Sequence, residues 1–122
     1  MILHGGEDGQ LSHFGLPNEF IFDHTSDSLR QFDIGEGQTM PTLAEVLELL
    51  KQAPEMLINI EIKVPFETQV SYDRYNYRRA CKIVKEHVDL FQVGARTIIS
   101  SFSPSVTRHM RVIAPGRNFQ IL

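Results

Sequence analysis

The chain has 122 residues, 42% of them hydrophobic, which suits one domain around a single core and excludes a disordered polypeptide. Twelve Lys and Arg against fifteen Asp and Glu leave a formal charge of -3, so there is no broad positive field to hold a nucleic acid or an anionic membrane. One cysteine, Cys81, cannot form an internal disulfide, and no Cys or His cluster has zinc spacing. The compartment is left unassigned by this, with the cytoplasm favoured.

The first residues, MILHGGEDG, run into glycine and charge after three apolar positions, too few for a signal peptide or a membrane span. Residues 2 to 4 read as the end of a strand, and an apolar run at the very start suggests a chain that begins in the middle of a fold. GGEDGQLSHFGLPNE follows, rich enough in Gly, Pro, Asp, Ser and Asn to be expected as loop throughout. In the mixed stretch after it, Thr25 is placed to cap one turn running to Leu29.

The clearest helix is TLAEVLELLKQA. Thr42 and Glu45 stand three residues apart as a capping box behind Pro41, and Leu43, Val46, Leu47 and Leu50 form the apolar stripe. Pro54 ends it, and LINIEIK, residues 57 to 63, follows as a strand. Beyond Pro65 the spacing of Tyr77, Ala80, Cys81, Val84 and Val88 predicts a helix over about 71 to 90, with Arg74, Arg78, Lys82 and Lys85 on another face. TIISSF, residues 97 to 102, is a strand; Pro104 opens a helix to about Ile113; and NFQIL is a last strand. Alternating strands and helices predict a parallel α/β sheet with right-handed crossovers.

The chemistry is expected on LINIEIK. Side chains alternate along a strand, so Ile58, Ile60 and Ile62 take one face and Asn59, Glu61 and Lys63 the other. A doubly covered parallel strand would be apolar on both faces. A polar face fits the mouth of a (β/α)8 barrel, whose active sites lie at the C-terminal strand ends. There a carboxylate can hold a divalent cation and an ammonium can meet a phosphate. The same alternation also suits an antiparallel edge strand with a solvated face, and the residues alone leave both readings open. His4 ends the first strand before two glycines and is a candidate general acid or base, although a histidine in that position is commonly structural. DIGEGQ lacks the ligand spacing of an EF-hand, SSFSPS has no nucleophile elbow, and no Walker-type phosphate loop occurs. YDRYNYRRA reads as an ordinary amphipathic helix start.

Taken together, ILHGG, MPTLAEVLELL, INIEIK and IISSF, in that order and at these intervals, make the chain resemble the glycerophosphodiester phosphodiesterase family over nearly all its length. The resemblance implies an incomplete TIM (β/α)8 barrel of about four parallel strands with intervening helices, and makes residues 1–122 one partial domain from the barrel's central portion. It implies metal-assisted hydrolysis of a glycerophosphodiester to glycerol 3-phosphate and an alcohol, with a divalent cation, Mg or Ca, as cofactor. By position, Glu61 looks like the metal-binding carboxylate, Lys63 like the residue that meets the phosphate, and His4 like one of two acid-base histidines. The family's His-Arg strand and Glu-x-Asp strand have no counterpart before His4, Gly5 stands where the family most often has Asp, and the last two barrel strands have no counterpart either. About half of a roughly 250-residue barrel is present, so the polypeptide alone is expected to be inactive. The alternative is a non-catalytic half-barrel that binds another chain or forms a homodimer through open sheet edges. Neither nucleic acid nor a membrane span is expected among its partners.

Overall fold

The computed structural model describes residues 1–2, 10–65 and 75–121, and they fall into two compact units. One comprises Met1–Val46 with Pro65–Tyr75, the other Leu47–Val64 with Asn76–Leu122.

In the first unit the expectation of continuous loop is overturned. Gln10–Leu11 (β1) and Leu16–Phe20 (β2) pair antiparallel, with Leu11 opposite Leu16. A 3-10 turn over Ser12–Phe14 joins them and ends at Gly15, whose φ of 78° lies in the left-handed region that glycine enters without steric cost. The turn-forming residues thus mark the corner of a hairpin, and burial of Leu11 fixes it in place. Leu11, Leu29 and Met40 are buried together, with Phe14, Leu16, Ile21 and Phe32 packed on them. Ser26–Leu29 (α1) is capped as expected, the Ser28 N–H donating to Thr25 Oγ1 at 3.2 Å. DIGEGQT closes as a tight turn in which Asp33 Oδ1 accepts from the Gly35 and Gly37 N–H groups at 2.8 and 3.1 Å. This carboxylate therefore organises its own backbone.

Leu43–Leu50 (α2) starts on the predicted capping box in full. The Glu45 N–H donates to Thr42 Oγ1 at 3.1 Å, and the Thr42 N–H donates back to Glu45 Oε2 at 2.7 Å. Leu47 is the fully buried member of its stripe.

The second unit is built on three parallel strands, Ile58–Glu61 (β3), Thr97–Ser101 (β4) and Asn118–Ile121 (β5), lying side by side in chain order. Tyr77–Leu90 (α3) connects β3 to β4, and Pro104–Ile113 (α4) connects β4 to β5. The helix expected from about residue 71 starts at Tyr77, because the Asn76 side chain accepts from the Arg79 N–H at 3.0 Å and caps it there. Ile58, Ile62 and Ile99 are buried, as are Cys81, Val84 and Val88 of α3 and Val106 and Met110 of α4. The expected four parallel strands become three among the described residues. The fourth was expected at residues 2 to 4, and of these only Ile2 is described; it is not in a strand, and its N–H donates to the Pro41 carbonyl at 2.8 Å.

Arg96, just before β4, supplies a long-range tie within this unit. Its guanidinium donates to the carbonyls of Leu50, Ala53 and Met56, each at 2.8 Å. The last carbonyls of a helix have no partner inside it; the Leu50 and Ala53 carbonyls also accept from the Ala53 and Met56 N–H groups at 3.2 and 3.1 Å, and Arg96 adds a charged donor to each and to the turn leading into β3.

Candidate functional site

Register places Asn59 opposite Ile98, and Glu61 opposite Ser100. The face of β3 that carries Asn59 and Glu61 therefore continues across β4 through Ser100, while Ile58 and Ile60 continue through Thr97 and Ile99. Burial follows this division. Ile58 and Ile62 are buried, Glu61 is half-buried, and Asn59 and Lys63 are exposed. The parallel pairing with β4 rules out the antiparallel edge ribbon that alternation alone allowed.

Glu61 is the last residue of β3, and the chain beyond it is held to β4. The Ile62 N–H donates to the Ser100 carbonyl at 2.9 Å, and Ser101 Oγ donates to the Ile62 carbonyl at 2.6 Å while accepting from the Ser103 N–H at 3.1 Å. Ser100 Oγ donates to Asn59 Oδ1 at 2.9 Å. These bonds fix the backbone that carries Glu61. One carboxylate oxygen, Glu61 Oε1, is buried with no hydrogen-bond partner among the described residues. A buried carboxylate oxygen without a donor carries a desolvation cost of about 1–3 kcal/mol or more.

Lys63 stands two residues further on, past the strand, with an exposed side chain. His4, Gly5, Glu7 and Asp8 lie outside the described residues. The structure thus joins Glu61 to Asn59 and Ser100, and Lys63 follows at the same strand end. The sequence reading missed Ser100. It is fully buried on the polar face, and its signal was available in TIISSF once that strand is set in parallel register with INIE. In the first unit, His24 Nδ1 and Ser28 Oγ are 3.1 Å apart, His24 Nε2 and Glu19 Oε2 are 2.7 Å apart, and Phe32 meets the ring edge-on. That cluster ties β2 to α1.

Fitness for a divalent cation can be judged from these residues. Glu61 Oε1 suits one position of a hard oxygen-ligand set. Among the described residues no group of three or more His, Cys, Asp or Glu side chains comes together to complete such a set, so they do not by themselves make a cation site. No helix among the described residues is long and apolar enough to cross a membrane.

Three parallel strands in chain order, joined by helices and ending in a polar strand terminus, define a small α/β segment of the kind found in part of a barrel. No protein-family model matches the sequence. The chain is 33% identical over 102 residues to a glycerophosphodiester phosphodiesterase of Bacillus altitudinis, a match covering 78% of this chain and 38% of that protein. Its fold is similar to the crystal structure of a glycerophosphodiester phosphodiesterase from Parabacteroides distasonis, with a TM-score of 0.65 at 21% identity over 78% of this chain and 37% of the other. It is also similar to the crystal structure of a candidate glycerophosphodiester phosphodiesterase from Galdieria sulphuraria, with a TM-score of 0.74 at 17% identity over 96% and 44%. The chain is thus a relative of the glycerophosphodiester phosphodiesterase family, and it spans less than half the length of the proteins it matches.

Proposed function

We propose that this chain is the central part of a (β/α)8 barrel of glycerophosphodiester phosphodiesterase type, whose chemistry is metal-assisted hydrolysis of a glycerophosphodiester to glycerol 3-phosphate and an alcohol. The observation that carries the reading is the buried, unpartnered Glu61 Oε1 at the end of a parallel strand whose polar face includes Asn59 and Ser100. In this reading Glu61 gives one oxygen ligand to a divalent cation, Mg or Ca, which supplies Lewis-acid polarisation of the phosphodiester when bound. Lys63, two residues on, meets the phosphate as a compact point charge. His4 gives or takes the proton at the leaving or attacking oxygen.

These 122 residues alone are inactive in this reading. Described residues contribute one carboxylate to the site, and losing even one member of an acid-base pair removes about 10²- to 10⁴-fold. The direct test is calorimetric titration of the chain with Mg or Ca, comparing wild type with Glu61→Gln. The expected outcome is weak binding in the wild type, reduced about tenfold or more in the variant, since even indirect partners of a metal ligand are worth that much. Equal affinity in the two proteins removes Glu61 from the site.

A further inference from the structure

The formal charge of -3 conceals a strong segregation. The first unit holds two Lys and Arg against ten Asp and Glu, a charge of -8; the second holds ten against five, a charge of +5. Within the second unit the excess is concentrated on two helices. α3 and α4 carry Arg78, Arg79, Lys82, Lys85, Arg108 and Arg111, and their acids are Glu86 and Asp89.

Arg78, Lys82 and Lys85 fall at four- and three-residue steps, which puts them on one stripe of α3. That stripe lines an open groove of about 680 Å³ between the helices, with His109 and Ile113 of α4 opposite and His109 set edge-on to Tyr77. Lys85 and Lys82 lie 2.7 and 3.7 Å from Asp89 and Glu86, so part of the charge is met locally. Arg79 and Arg108 are exposed. Two large aliphatic side chains of the same helices are exposed as well, Ile83 of α3 four residues after Arg79 at 41% and Val112 of α4 four residues after Arg108 at 74%. A site for a small soluble anion has no use for them. Cations interleaved with protruding aliphatics are what an interfacial helix presents to lipid, the heads meeting anionic groups while the apolar side chains enter the headgroup boundary.

We propose that the outer surface of α3 and α4 docks on an anionic lipid surface, through Arg79, Lys82 and Arg108 with Ile83 and Val112. The proposal is independent of Glu61 and of the hydrolytic reading. It is tested by co-sedimentation of the whole chain with vesicles of phosphatidylcholine alone and of phosphatidylcholine with 30% phosphatidylglycerol. Binding is expected to the mixed vesicles only, and to fall steeply between 0.05 and 0.5 M NaCl as the charges are screened. Each Lys or Arg at such a surface strengthens binding about fivefold, so the triple variant Arg79→Gln, Lys82→Gln, Arg108→Gln should bind about a hundredfold more weakly. Val112→Ser with Ile83→Ser should weaken it several-fold with the cations intact. All five side chains are exposed, and circular dichroism of each variant verifies that it folds. Equal binding to both vesicle types, no binding to either, or an unchanged triple variant would overturn the proposal. Release by inorganic phosphate beyond that by NaCl of matched ionic strength would make the groove a free-anion site and overturn it too. So would displacement by a mixed-sequence RNA at concentrations where the vesicles are in excess.

Discussion

Replacing Arg96 isolates one side chain's contribution to the second unit. The guanidinium donates three bonds of 2.8 Å to the carbonyls of Leu50, Ala53 and Met56, joining residues forty or more positions away in sequence to the start of β4. In Arg96→Met the aliphatic stem is roughly kept and all three donors are lost. Bonds from a charged donor are worth about 1.5–3 kcal/mol each. The bond to Met56 is exposed and water replaces it at little cost, whereas those to Leu50 and Ala53 are partly buried. Two partly buried bonds, discounted for their remaining access to water, give a loss of about 2–4 kcal/mol, large against the 5–15 kcal/mol of a typical domain. Urea unfolding followed by far-ultraviolet circular dichroism should show the midpoint falling with little change in slope. Arg96→Lys should recover part of the loss, because an ammonium cannot spread its donors over three separated carbonyls as the planar fork does. The three acceptors are neutral, so the difference should persist in 0.5 M NaCl. A loss below about 1 kcal/mol, or one that disappears in high salt, would refute the assignment of Arg96 as a tie between β4 and the end of α2.

Two further outcomes follow from titratable groups. The Arg30 guanidinium and the Thr42 N–H and hydroxyl hold the Glu45 carboxyl down at about 2, against an ordinary value of 4.5. A depressed carboxyl contributes stability that is present above its unfolded value and is lost as pH falls toward the folded one, so Glu45→Gln should flatten the fall in stability between about pH 4.5 and 2, read from thermal midpoints at half-unit steps. Burial pushes the Cys81 thiol up to about 11, and its side chain is fully enclosed. Ellman's reagent at pH 8 should therefore find no reactive thiol in the native chain and one per chain in 6 M guanidinium chloride; rapid native labelling would show that α3 does not pack as described.

Local rules were enough to read much of this fold. The capping box at Thr42 and Glu45 and the cap at Thr25 involve residues within four positions of one another and appear with their hydrogen bonds in place, and Pro104 stands at the first turn of α4 as expected. Alternation along INIEIK likewise divided its faces correctly. What was not legible depends on pairing across distance. Whether β3 lies parallel or antiparallel, whether Ser100 sits beside Asn59, and whether Arg96 reaches the end of α2 are decided by residues about forty positions apart, and no short window contains both partners. The loop expected through residues 5–19 gave way, over the described residues 10–19, for a related reason. Its glycine and proline content describes the corner of a hairpin, and only the burial of Leu11 opposite Leu16 shows that strands flank that corner.

Charge shows the same limitation in its most consequential form. A net value of -3 argued against a broad positive field for a nucleic acid or an anionic membrane because it averages over the chain, and an average is informative only when charges are mixed in space. Here they are sorted, -8 in one compact unit and +5 in the other. At physiological ionic strength a field extends about 8 Å, far less than the size of either unit. An approaching surface therefore responds to the unit it meets, and for α3 and α4 the relevant quantity is six cations against two acids.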